Sequence, residues 1–237
     1  MSNIKTITVA TVLCIVCSIM VSSVAVSLRP IQLKNQELDM KKNILMAAGL
    51  FNEGDDIEEA FKSISPKVVD LSTGLYTDET FDSADKIEIP KDIDVAGLGS
   101  RSKLAQVYVV EGDEGNSQVI LPIVSKGLWS TMKGFLALDS DLNTVKGFGY
   151  YSQGETPGLG AEVENPKWKS QWIGKKVFND SFMPVMKVAK AAASNEHEVD
   201  GLSGATITCN GVTSSLKYWL GNHGYGKYLS AMRGGTN

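Results

Sequence analysis

The sequence predicts an α+β protein: a single N-terminal transmembrane helix followed by a soluble domain with an antiparallel sheet and packed helices. Three observations carry this. Thr6 through Leu28 contains no charged residue, and as a helix that run would rise about 34 Å, enough to cross a hydrocarbon core of about 30 Å. Four strand-like runs, 104–110, 118–124, 134–138 and 144–150, follow one another with short turns between them, as antiparallel neighbours do. After Thr208, Val212, Leu216, Trp219 and Leu220 recur at helical spacing. The chain divides accordingly into an anchor (1–30), a helical N-terminal part of the soluble region (31–100) and a sheet-bearing domain (101–237).

Taken in order, Lys5 precedes the anchor and Arg29-Pro30 closes its apolar run. A cleaved secretory signal is the competing reading, with Ala25 and Ser27 ahead of a cleavage point. Signal peptides carry a shorter apolar run of about 7–15 residues, which favours a retained anchor. Bulky Leu13 and Val16 before the cysteines argue against lipoprotein processing. Cys14 and Cys17 themselves are read as packing residues, or on the less favoured reading as ligands shared with partner helices. Arg29, Lys34, Lys41 and Lys42 follow the anchor, against Lys5 and the terminal amine before it. A positive-inside count therefore keeps the large domain in the cytoplasm. Leu38, Ile44, Leu45, Ala48 and Phe51 predict a helix continuing from the membrane. The acidic stretch 52–56 turns the chain into a second helix with Ile57, Ala60, Phe61 and Ile64 as its buried face, stopped by Pro66. Gly112-Asp113-Glu114-Gly115-Asn116 and Asp139-Ser140-Asp141 mark turns between strands.

Composition narrows the function. With 237 residues, 43% hydrophobic and 21% charged, this is an ordinary globular chain of one large or two small domains. A net charge of −4 gives no electrostatic footprint for nucleic acid. His197 and His223 are the two histidines and are not spaced with other ligands, which disfavours a metal centre or a Ser-His hydrolase. Cys209 alone follows the anchor, so the soluble part has no internal disulfide. Gly221 to Lys227 has P-loop spacing, but Tyr228 stands where Ser or Thr is needed. Gly97-Leu98-Gly99 and Gly158-Leu159-Gly160 lack the third glycine of a dinucleotide fingerprint.

Two stretches carry chemistry. Asp200-Gly201-Leu202-Ser203-Gly204-Ala205-Thr206 runs directly into the predicted helix. Open N–H groups and partial positive charge at a helix start suit a phosphate, small residues permit its close approach, and Thr206 offers a hydroxyl there. On local pattern alone a plain helix cap explains the same residues. The second stretch, Gly154-Glu155-Thr156-Pro157-Gly158-Leu159-Gly160-Ala161, reads on composition as a surface connection.

Asp-x-x-Ser-Gly-Ala-Thr resembles the flavinylation motif of the FMN-binding domains of bacterial respiratory complexes, and Glu-Thr-Pro-Gly-Leu-Gly resembles the loop that lines the flavin pocket in that family. Glu164-Asn165-Pro166, Trp168, Trp172 and Gly174-Lys175 extend the match. The resemblance implies covalent FMN, joined by a phosphoester to Thr206, with Asp200, Ser203, Gly204 and Ala205 completing the motif. Thr208, outside the core pattern, is the less favoured acceptor. It makes 101–237 an FMN-binding domain in which Glu155, Thr156, Gly158, Leu159 and Gly160 line the flavin. Leu159 is expected to cover a ring face and N–H groups from Thr156 to Gly160 to bond its polar edge. Trp129 is a stacking partner or, equally, a core aromatic. Cys209 is either a thiol of lowered pKa at the helix start or, as preferred, a packing residue.

In this order, the anchor and both motifs resemble the flavin-bearing C subunits of Na⁺-translocating NADH:quinone oxidoreductases. That implies one electron relay in an inner-membrane complex of six subunits, which passes electrons from NADH to ubiquinone while sodium crosses the membrane. NADH is oxidised at another subunit, and this flavin cycles mainly between adjacent one-electron states. The resemblance also implies maturation by an Mg²⁺-dependent flavin transferase with FAD as donor, and a flavin domain on the periplasmic side, against the charge count. The flavin-bearing member of the related ferredoxin-linked complex is the nearest alternative. An anchored extracytoplasmic binding or scaffold module without a cofactor is the alternative of a different class.

Overall fold

A computed structural model of the chain describes residues 3–52, 54–82, 85–111 and 117–234. The turn expected at 112–116 and Glu53 of the acidic turn lie outside the described residues. Two units emerge, Met1–Met40 and Lys41–Asn237.

The first unit is helical. Helix α1 (Asn3–Ala48) runs through the uncharged stretch and on past Pro30, whose missing N–H leaves one carbonyl without its usual partner. Its apolar part is long enough to cross a membrane and is exposed along its length. The last turn of α1 belongs to the second unit, where Ile44, Leu45, Ala47 and Ala48 are buried. Gly49 ends the helix at φ +71°, a left-handed position that costs glycine nothing. Leu50 N–H then closes on the Leu45 carbonyl at 2.9 Å.

The second helix is a single turn, α2 (Ile57–Phe61), capped by Asp56, which accepts from the Glu58 and Glu59 amides at 2.9 and 3.0 Å. Helical character expected across 31–100 ends there. Ile64 does not belong to a helix face; it opens β1 (Ile64–Asp70), which pairs along its whole length with β5 (Leu104–Val110). The spacing Ile57, Ala60, Phe61, Ile64 imitates a helical stripe across a helix-to-strand boundary. Pro66 is tolerated because β2 (Leu75–Tyr76) pairs with β1 at Val69 and Asp70, leaving the Pro66 edge open on that side. A small hairpin of β3 (Lys86–Glu88) and β4 (Ser100–Ser102) precedes the main strands.

Strand β5 has its expected bounds, while β6 (Gln118–Lys126), β7 (Thr131–Leu138) and β8 (Val145–Ser152) depart from theirs by at most three residues. The six strands form one antiparallel sheet in the order β2-β1-β5-β6-β7-β8. Strand residues alternate between its faces. Val119, Leu121 and Ile123 point into the main core, which they share with Val212, Leu216 and Trp219 of α4 (Thr206–Trp219). The Trp219 indole bonds the Val124 carbonyl at 2.8 Å and fixes the helix on the strand. On the opposite face Tyr108, Phe135 and Tyr151 form an aromatic row, and the end of α1 comes so close that a Cβ on Gly147 would overlap the Ala47 carbonyl.

Beyond β8 the chain forms a 3₁₀ turn (Gly160–Glu164) and α3 (Pro166–Ser170), capped by the Asn165 side chain on Lys167 N. Trp172 just past α3 is fully buried, stacked on Phe148 with ring centres 4.0 Å apart and edge-on to Trp168. Two short parallel strands, β9 (Lys187–Val188) and β10 (Glu198–Val199), lead to α4, and α5 (Gly226–Gly234) ends the described chain.

Candidate functional site

The loop before α4 is pinned by residues distant in sequence. Asp200 donates its amide to Gln171 Oε1 at 2.9 Å and accepts the Trp168 indole N–H on its carbonyl at 2.8 Å. Its carboxylate accepts the Ala193 amide at 2.7 Å. The tryptophan of the Asn-Pro-x-Trp segment thus holds the first residue of the Ser-Gly-Ala-Thr turn. Leu202 donates to the Cys209 sulfur at 3.3 Å, and Ala205 donates back to the Leu202 carbonyl at 3.1 Å. Gly204 sits at φ +71°, with Leu159 Cδ2 2.8 Å from where a Cβ would be. The left-handed backbone angle favours glycine, while the Leu159 methyl is the end of a flexible, exposed side chain that can turn aside.

At the helix start no side chain of the described residues caps α4, and its N-cap residue is Ala205. An alanine in that place leaves the first amides without the usual side-chain acceptor. Thr206 is exposed, and so is Ser203. An uncapped start to a 14-residue helix, fronted by glycine and alanine and bearing an exposed hydroxyl, is a geometry a phosphate fits. Thr208 differs sharply from Thr206: it is 2% exposed and donates its hydroxyl to Glu155 Oε2 at 2.7 Å.

Glu155 is buried, and both its oxygens are occupied. Oε1 accepts the Trp129 and Ser130 amides at 3.0 Å each and the Ser130 hydroxyl at 2.9 Å. Oε2 accepts the Leu128 amide at 2.9 Å together with Thr208. Its carboxylate therefore bonds protein groups rather than projecting as a free contact. Burial pushes its pKa upward, but the bonds from Thr208, the Trp129 and Leu128 amides and Ser130 outweigh that and hold it below its ordinary value of 4.5. A depressed carboxylate pKa contributes stability that is complete above about pH 4.5 and is lost as pH falls through the lowered value. The stability gap between wild type and Glu155→Gln, measured by denaturant unfolding from pH 6 to pH 3, should be constant at the upper end and narrow below about pH 4.5. A gap independent of pH would contradict this.

In the 154–161 loop, the Thr156 carbonyl accepts the Leu159 and Ala161 amides, each at 3.1 Å. Pro157 has no N–H, so Thr156, Gly158 and Gly160 carry the amides of that run without a partner among the described residues. Thr156 and Gly158 are exposed, whereas Gly160 is buried between Glu155 and Thr208. Four apolar side chains stand out of the surface here: Leu128 49%, Trp129 72%, Leu159 42% and Ile207 56% exposed. The core reading of Trp129 is thereby excluded; it rides the β6–β7 turn in solvent. Cys209 packs in the first turn of α4 as preferred, and burial raises its thiol pKa rather than lowering it.

The fold thus brings Glu155, Leu159 and Gly160 against Gly204 and Thr208, and ties the turn of Trp129 to them. Asp200 faces α3 instead. Sequence reasoning missed Ser130, Gln171 and the Glu155–Thr208 bond. No local pattern could have marked them, since the partners of Glu155 lie 25 to 53 residues away.

Residues 127–221 match the family model of the FMN-binding domain. The chain is 45% identical over 240 residues to the C subunit of the Na⁺-translocating NADH-quinone reductase of Haemophilus ducreyi, covering 96% of this chain and 93% of that one. It is likewise 45% identical over 244 residues to the corresponding protein of Vibrio alginolyticus, covering 98% and 95%. Its structure resembles the crystal structure of Shewanella oneidensis NqrC with a TM-score of 0.75 at 32% identity, covering 83% of this chain and 97% of that one.

Proposed function

The chain belongs to the family of C subunits of Na⁺-translocating NADH-quinone reductases, and from that premise we infer that Thr206 carries its FMN through a phosphoester bond. It is a flavoprotein that relays electrons as one member of such a complex. The covalent attachment rests on one observation: an exposed threonine hydroxyl at the uncapped start of α4, two residues after a glycine in the left-handed region. Esterification joins the Thr206 oxygen to the FMN phosphorus. With FAD as donor, the bridging pyrophosphate bond breaks, AMP leaves, and the hydroxyl proton is released. This calls for a separate flavin transferase as a maturation partner.

When bound, FMN supplies the redox chemistry, and the protein's share is to hold and orient it. The first amides of α4 and its dipole offset the remaining phosphate charge. Ser203, Gly204 and Ala205 leave the approach open, and Asp200 fixes the turn from the side of α3. Trp129, Leu159 and Ile207 supply apolar surface for the ring, while the amides of Thr156, Gly158 and Gly160 are the candidate donors to its polar edge. Glu155 and Thr208 support this arrangement from beneath rather than touching the ring.

The other five members of a complex of six subunits are the partners, with α1 anchoring the chain in the bacterial inner membrane and the flavin domain on the periplasmic side. Family membership favours that orientation over the positive-inside count, since long domains translocate regardless of flanking charge. It also favours the sodium pump over the ferredoxin-linked complex.

The test is mass spectrometry of protein from its native host. Trypsin should release residues 191–217 as one peptide, which contains Ser203, Thr206 and Thr208. It should carry the mass of FMN less one water, localised to Thr206 by fragmentation. An unmodified peptide, or a modification on another residue, would overturn the assignment.

A further inference from the structure

Glu155 bonds two segments besides its own loop, the β6–β7 turn and α4, and it does so next to the direct bond from the Gly154 amide to the Ser130 hydroxyl at 2.8 Å. Its carboxylate takes three consecutive amides of the β6–β7 turn and the Ser130 hydroxyl, so it closes that turn from inside. It takes Thr208 of α4, two residues beyond Thr206. Its own loop passes between them so tightly that a Cβ on Gly160 would stand 2.7 Å from the Thr208 hydroxyl and 2.9 Å from Glu155 Cβ. That loop then delivers Leu159 against Gly204. The Trp129 side chain, being 72% exposed, is not anchored by burial in the core. Its place is set by the backbone of its turn, and that backbone is held by Glu155.

We propose that Glu155 is a positioning residue for flavin attachment: by locking the Trp129 turn to the start of α4 through Thr208, it sets the geometry in which Thr206 receives and then holds the nucleotide. This rests on the reading that Thr206 is the acceptor. Orientation errors of about 1 Å can cost a reaction as much as a hundredfold, so a clamp reaching within two residues of the nucleophile has leverage on its rate. Glutamine is a poor replacement. Either amide orientation turns an NH₂ toward at least one backbone N–H, those of Trp129 and Ser130 on one side or that of Leu128 on the other, although the Ser130 and Thr208 hydroxyls can turn to accept. Thr208→Val removes the link to α4 alone and keeps the shape of the side chain.

The experiment uses the full chain in detergent with purified flavin transferase, FAD and Mg²⁺. It follows flavin fluorescence on the chain over time, maps the modified residue, and records the visible circular dichroism of the attached flavin. Glu155→Gln should slow attachment about tenfold or more, and Thr208→Val roughly threefold. Both should diminish the flavin circular dichroism, which reports a fixed ring rather than fold stability. Leu136→Ala, in the middle of β7, lowers stability without touching the clamp and serves as the comparison. A Glu155→Gln chain whose rate and flavin signal match those of Leu136→Ala would overturn the proposal while leaving Thr206 as acceptor. Wild-type chain bare at Thr206 would overturn both. Should Glu155→Gln fail to fold, Thr208→Val decides, and an unchanged rate and spectrum there would sink the clamp.

Discussion

A Thr206→Ala chain should fold with wild-type stability and carry no covalent flavin. The two halves of that result have separate causes. Thr206 is exposed at the first position of α4, and its hydroxyl bonds no described group, so its removal leaves no buried donor or acceptor behind. Alanine is also the better helix former, and exposed substitutions of this kind fall within about 0.5 kcal/mol of neutral. The loss of flavin, in contrast, should be complete. The nearest alternative nucleophile, Thr208, is 2% exposed and its hydroxyl is committed to Glu155. Reaching a phosphate would require withdrawing it from the core and leaving a buried carboxylate oxygen short of a partner. In-gel flavin fluorescence and intact mass on protein matured by the native host check both halves. Persisting fluorescence in the alanine variant would show that another residue carries the group. Lost fluorescence with a lowered melting temperature would show that Thr206 supports the fold.

How far local sequence foretells this fold depends on the range of the contacts involved. Strands β5 to β8 were legible because each is a short apolar run bounded by turn residues, and the turns themselves, such as Asp139-Ser140-Asp141, show in composition. The start of α4 was legible for the same reason: small residues, then a helical stripe. Strand β1 was not, because Ile57, Ala60, Phe61 and Ile64 copy helical spacing and Pro66 mimics a helix stop. What decides the segment is pairing with β5, about forty residues downstream (Ser65 opposite Val109, for instance), which no local window contains. The candidate site divides likewise. Thr206 and its glycine neighbour could be read from adjacent residues. The clamp could not, since Glu155 looks like one more polar residue in a Pro-Gly loop until the fold brings Ser130 and Thr208 to it. Trp168 is a similar case: its value lies in the Asp200 carbonyl, 32 positions away.

Substituting Gly211 by alanine should destabilise the domain by about 2 kcal/mol, although alanine is the better helix former by about 1 kcal/mol. Gly211 lies inside α4, where glycine is a poor choice on propensity, so its presence asks for a packing reason. That reason is the end of β6: a Cβ on Gly211 would overlap the Lys126 carbonyl, and the next nearest atoms are also backbone. No flexible side chain stands there to move aside, so helix and strand must separate. Overpacking of this kind costs about 1–3 kcal/mol, and the upper end applies where backbone meets backbone. For a domain of this size the net loss corresponds to a fall of about 4–8 °C in melting temperature. Gly234→Ala provides the control, because a Cβ there meets nothing within 4 Å. The same displacement would draw Thr208 away from Glu155, one turn nearer the helix start, so flavin attachment should slow along with the loss of stability. A Gly211→Ala chain as stable as wild type would mean that α4 can shift on the sheet at little cost, and the rigid seat ascribed to Thr206 would then have to come from the Asp200 turn and its tryptophan instead.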